Sequence, residues 1–234
     1  MQHQNKMKPI PFVDIHTHPD RVESETIIVQ NIFPGDGFAA FTGRNFYSVG
    51  LHPWHLKSPE ENDEMLVMVE DAMEFDHVCF VGECGLDKKI DIDFDEQMRI
   101  FKGQAFLSEE YKRPLIIHCV KAYNEVLQLH QKLHPEMPWI MHGYRGNVQT
   151  TQQMGKSGIM FSFGKSLFEE NSKSIDSLKC LPMEKIFFET DEFDKGVDKI
   201  YERAASLKNV SLNILKNEVW NNFNRIESSL ISRF

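Results

Sequence analysis

Cysteine is scarce, positive charge is outnumbered and long apolar runs are missing, and each shortage excludes a class of protein. The four cysteines, Cys79, Cys84, Cys119 and Cys180, show no C-x-x-C spacing, which argues against a zinc-ribbon or thiol-redox motif. Three of them lie in or beside apolar, strand-like runs, where a reduced thiol behaves as a small hydrophobe, so no disulfide is expected. With 26 Lys and Arg against 35 Asp and Glu, the formal net charge is -9. That balance excludes a broad basic face for nucleic acid, though it leaves room for a local basic cleft. No apolar stretch approaches the roughly 20 residues that a spanning helix needs. The opening "MQHQNKMKPIPF" lacks the apolar region and small-residue cleavage site of a signal peptide. A cytoplasmic location without a membrane partner is the expectation.

What is present describes an ordinary globular chain. Its 234 residues are 41% hydrophobic with 18 Phe, a length at which barrels of parallel strands form one domain. Short β-rich runs recur at 11–16, 26–33, 46–52, 77–83, 115–119, 139–142, 159–162 and 185–189. Helical periodicity fills most of the gaps, at 58–75, 94–111, 123–133, 147–157, 169–181, 197–207 and 212–231. The stretch Ser58-Pro-Glu-Glu61 has the form of a helix start, with a cap, a first-turn proline and acidic residues. Strand–helix alternation implies a parallel sheet. No linker, repeat or low-complexity tract interrupts it, so a single domain over 1–234 is expected. One spacing is irregular, because only 8 positions separate His18 from Thr26, whereas a parallel crossover usually takes a dozen or more. The first crossover helix is therefore missing. The second strand either runs antiparallel or lies outside a regular barrel, and the glycine-rich 33–45 segment is a loop. The expected fold is an α/β, TIM-type barrel distorted near its second strand.

The ends of the runs carry the chemistry. Phe12 to Asp20 reads "FVDIHTHPD", and the period-two alternation of a strand sends His16 and His18 the same way. His52 ends "FYSVGLH", Glu83 ends "VCFVGE", His118 nearly ends its run, His142 ends "PWIMH" and Asp191 closes "IFFETD". In a barrel of parallel strands these C-terminal ends meet on one rim. Imidazoles with carboxylates suit divalent metals such as Zn, Mn or Mg. The set exceeds the needs of one ion. Two ions bridged by Glu83 and a water would use it fully and make a nucleophile from that water at neutral pH.

The ordered motifs "DIHTH", "VGLHPW", "VGECGLD", "PLIIHC", "MHGYRG", "GIMFSFG" and "FFETD", from about Val13 to Asp191, resemble the TatD-related metal-dependent deoxyribonucleases of the amidohydrolase superfamily. "NEVWNNFNRIE" near the C-terminus echoes them more weakly. The resemblance implies a TIM-type barrel in which His16, His18 and Asp191 hold one ion, Glu83 bridges, and His118 and His142 hold the second. It implies that Asp191 also orients or deprotonates the bridging water, and that the substrate is DNA, often cut from the 3′ end. The chain departs from the family pattern after Asp191, where "EFDKGVDKIYERA" replaces a proline–tyrosine turn. Lys121 stands where an arginine is usual, and Arg145 where a serine is usual.

Other residues take lesser parts in this reading. His52 is expected in the active-site wall or as a phosphate donor, with a metal ligand as the alternative, Lys121 and Arg145 as cations meeting phosphate oxygens, and Asp87 as a hydrogen-bond partner of a ligand histidine. Asp14 is given a structural role and His55 a place in a loop. The function expected is hydrolysis of phosphodiesters in DNA or short oligonucleotides by a monomer. Hydrolysis of small esters, lactones or amides, and a non-catalytic metal-binding barrel, are the alternatives.

Overall fold

The computed structural model describes residues 9–18, 21, 23–37 and 45–231. Eight strands stand in sequence order in one sheet: β1 (Phe12–Thr17), β2 (Thr26–Ile32), β3 (Phe46–Val49), β4 (Val78–Asp87), β5 (Leu115–Val120), β6 (Trp139–Met141), β7 (Met160–Phe163) and β8 (Ile186–Phe188). Every neighbouring pair is parallel. The helices are α1 (Pro59–Ala72), α2 (Phe94–Glu110), α3 (Tyr123–Leu133), α4 (Val148–Lys156), α5 (Lys173–Cys180), α6 (Val197–Lys208) and α7 (Leu212–Ile231). Helix α1 starts as the sequence predicts: the Ser58 hydroxyl accepts from the Glu61 N–H, and the Glu61 carboxylate accepts from the Ser58 N–H, which satisfies two donors that the helix end would otherwise orphan. Helix α5 begins later than the periodicity suggests, capped by Ser172. All four cysteines are free.

The second strand corrects the expectation drawn from its short connection. Strand β2 runs parallel to both β1 and β3, inside the sheet. From Thr17 to Thr26 an extended chain reaches up to about 30 Å, and returning along six-residue β1 requires only about 16 Å. A helix is dispensable there, and none occurs among the described residues between β1 and β2. Residues 38–44 of the expected 33–45 loop, and residues 1–8, lie outside the described residues. The irregularity appears instead as a register shift between Asp14 and Thr17.

The barrel closes through side chains more than through backbone pairing. Among the described residues, the one bridge at this seam joins Thr17 at the end of β1 to Asp191, three residues beyond β8, with the Asp191 N–H donating to the His16 carbonyl at 2.9 Å. Buried Asp14 accepts from the Thr190 N–H (2.9 Å) and hydroxyl (2.6 Å). Tyr201 on α6 supplies what β8 does not, accepting from the Val13 N–H and donating to its carbonyl. Helix α7 lies across the N-terminal ends of the strands. Its Phe223 packs on Phe46 and Phe80, and Asn222 donates to the carbonyls of Met183 and Ile186. The core is continuous from Val13 and Ile15 through Val81, Ile116, Ile140 and Phe161 to Phe188, which leaves the C-terminal rim to carry polar groups.

Candidate metal centre

Glu83 is the centre of that rim. It does not end β4, which runs on to Asp87, but sits where the β4–β5 register shifts between Val81 and Cys84. The bend depends on Gly82, whose φ is +136° and where an added Cβ would lie 2.4 Å from the Ile116 carbonyl oxygen, so no side chain fits. Asn31 on β2 holds the turn, donating to the Gly82 carbonyl at 2.7 Å and to the Ser48 hydroxyl.

Five imidazoles surround the Glu83 carboxylate. Oε1 lies 2.7 Å from His142 Nε2, 2.9 Å from His118 Nδ1 and 3.1 Å from His52 Nε2. Oε2 lies 3.3 Å from His16 Nε2 and 3.4 Å from His18 Nε2. Asp191 Oδ1 is 3.4 Å from His18 Nε2. The residues expected to be ligands are thus brought together, and four triads place their donor atoms within 4.8 Å of one another: His16–His18–Asp191, His16–Glu83–His142, His52–Glu83–His118 and His142–Glu189–Asp191. They fit divalent cations. Buried His16 has no hydrogen-bond partner at either ring nitrogen, and coordination through Nε2, which faces Glu83, would remove part of that cost.

The electrostatics follow from this crowding. Burial works to raise the Glu83 carboxyl, but His142, His118 and His16 outweigh it and hold the group well below the usual range. Burial likewise opposes charge on His142, yet Glu83 and Glu189 raise it well above the ordinary imidazole value. The His18 Nε2–H donates to the Glu83 carboxylate, and that hydrogen bond raises His18 against the opposing effect of burial. Burial raises Asp191 against the pull of His16 and His142, which suits a proton acceptor.

His52 differs from the other four. Its Nδ1 accepts the Trp54 N–H at 3.1 Å, so a neutral ring carries its proton on Nε2 and presents a donor there, not a lone pair. Burial lowers it, favouring that neutral form. Asp87 Oδ2 lies 3.5 Å from His118 Nε2, while Nδ1 of the same ring faces Glu83. Lys121 is exposed and absent from the lining of the main cavity, which measures about 500 Å³ and includes His52, Trp54, His55, His118, His142 and Asp191. Arg145 lines a smaller side cavity with Asp191, but its guanidinium pairs with both carboxylate oxygens of Glu169.

Sequence reasoning missed Glu189. It is buried, accepts the Gly143 N–H at 2.6 Å and faces His142 Nδ1 at 3.4 Å. The signal was available, since Glu189 also ends an apolar run and shares the parity of Asp191. Two glutamines on α2 were missed as well. Gln104 clasps the Leu51 backbone from both sides, and Gln97 clasps that of Asp87; polar residues seven apart on a buried helix face were their trace.

The model of the TatD related DNase family matches residues 38–228. The chain belongs to that family. An uncharacterised metal-dependent hydrolase of Haemophilus influenzae is 26% identical over 205 residues, covering 79% of this chain and 78% of its own. The 3′-5′ ssDNA/RNA exonuclease TatD of Salmonella typhimurium is 27% identical over 150 residues, covering 62% and 56%. The crystal structure of the TatD homolog YJJV from Escherichia coli matches with a TM-score of 0.77 at 19% identity, covering 92% of this chain and 97% of that one. The TatD barrel is therefore shared. No described helix is long and apolar enough to cross a membrane.

Proposed function

We propose that this TatD-family chain is a divalent-metal-dependent hydrolase that cleaves phosphodiester bonds of DNA or short oligonucleotides, as a monomer whose single domain spans the chain. The observation that carries it is the set of imidazoles converging on Glu83, among them buried His16, whose ring nitrogens have no hydrogen-bond partner. The nuclease names borne by relatives support the choice of bond. His16, His18 and Asp191 would hold one divalent ion, Mg, Mn or Zn, His118 and His142 would hold a second, and Glu83 would serve both. Bound there, such ions polarise a phosphoryl oxygen and acidify water.

The chain's own groups do the rest. Asp191, its N–H fixed on the His16 carbonyl, orients the attacking water and takes its proton. The His52 Nε2–H points at Glu83 Oε1 and turns to a phosphoryl oxygen when substrate enters, which adds stabilisation as charge develops. Asp87 steadies His118, and Glu189 steadies His142, from behind. Lys121 and Arg145 meet phosphates further along the strand, Arg145 after giving up Glu169.

The test uses protein loaded separately with Mg²⁺, Mn²⁺ and Zn²⁺, end-labelled single-stranded DNA and bis-p-nitrophenyl phosphate. Cleavage of both is expected with at least one metal, and Asp191→Asn should lose on the order of 10²–10⁴-fold in rate. Protein that binds metal stoichiometrically but cleaves neither substrate would sink the proposal and leave ester, lactone or amide hydrolysis to be assayed.

A further inference from the structure

Trp54 is out of place as a structural residue. Tryptophan is usually well buried, yet this side chain is on a residue 59% exposed and is held rigidly all the same. Its Nε1–H donates to Asp87 Oδ2 at 2.8 Å. The same oxygen lies 3.5 Å from His118 Nε2, and the other oxygen of Asp87 accepts the Lys89 N–H. One carboxylate thus fixes the indole and a proposed metal ligand relative to each other. The indole stands edge-on to His52 and His118, at ring-centroid distances of 5.1 and 5.9 Å.

The space around it has two compartments. Trp54, Phe33 and His55 line both the main cavity and a second one of about 440 Å³, whose other walls include Leu56, Lys57, Glu61 and Met65. A ligand group in the second compartment is therefore continuous with one bound at Glu83, with Trp54 at the junction. Its lining includes apolar Phe33, Leu56 and Met65 beside Lys57 and Glu61, which pair with each other at 3.5 Å. The exposed face of the indole, at the junction of the two compartments, suits a flat ring stacked on it.

From this we infer that Trp54 and the compartment behind it form a nucleobase subsite, in which the base next to the scissile phosphate stacks on the indole. The inference rests on the phosphodiesterase reading and narrows its substrate to nucleotides. An indole already immobilised by Asp87 loses little freedom on binding, which favours stacking, and every base offers a face for it, so the subsite tolerates sequence.

The test compares single-stranded oligonucleotides that differ only in carrying an abasic residue on one side or the other of the scissile bond, with wild-type, Trp54→Ala and Trp54→Phe proteins. For the wild type, removing the base at one of the two positions should lower kcat/KM about 5- to 150-fold. In Trp54→Ala that ratio should collapse towards one, and in Trp54→Phe, which keeps a ring without the N–H, most of it should remain. A wild type indifferent to abasic sites, or a Trp54→Ala protein that loses rate equally on intact and abasic substrates, overturns the subsite while leaving phosphodiester cleavage standing. Failure of the wild type on every oligonucleotide and on bis-p-nitrophenyl phosphate removes the parent reading and the subsite together.

Discussion

Asp14 is buried at the seam between the first and last strands, and burial raises its carboxyl to about 7 against the hydrogen bonds from Thr190 that lower it. In the unfolded chain it returns to its ordinary value of 3.8. Between those values the folded chain keeps a proton that the unfolded chain has released, so stability falls as pH rises through this window and the penalty is complete above about 7. Asp14→Asn removes the charge and should flatten that slope. Urea midpoints of the two proteins at about pH 5 and pH 8 measure it, and equal slopes would acquit Asp14 as the titrating group. Legibility also varied from residue to residue. His16, His18, Glu83, His118, His142 and Asp191 were readable because each closes or nearly closes an apolar run. The Nδ1 acceptor role that makes His52 a donor was hidden, because it depends on a backbone N–H two residues away and so on the local turn.

At the scale of elements, helix α7 shows how a surface-looking sequence becomes structural. Asn222 is fully buried and joins α7 to the start of β8, and Phe223 reaches the starts of β3 and β4. Phe223→Ala should cost about 3–5 kcal/mol, seen as a lower urea midpoint with an unchanged m-value. A loss well under 1 kcal/mol would mean that α7 is peripheral to the fold. Most strands and helices were legible from period and capping, as the Ser58–Glu61 box illustrates. The polarity of β2 was not. Spacing counted residues, whereas the direction of a strand depends on whether an extended link can return along its neighbour, and here it can.

Taken whole, the molecule is acidic, with a formal net charge of -9, so a nucleic-acid substrate must be held locally. For single-stranded oligonucleotides, log KM should rise with log salt at a slope of about 0.7–1.4, the signature of one or two neutralised phosphates. A KM that stays flat between about 50 and 200 mM salt would speak against backbone recognition and for a small ester or lactone.

The sequence by itself determined the strand–helix alternation, the rim on which the ligand candidates gather and the family to which they belong, because period and strand-end chemistry are local properties of the chain. Tertiary structure alone decided how the barrel closes, that Glu189 backs His142, that Arg145 is tied to Glu169 and that Trp54 stands between two compartments. Each of those facts is a distance between side chains far apart in sequence or a degree of exposure, and neither exists until the strands are wound around a common core.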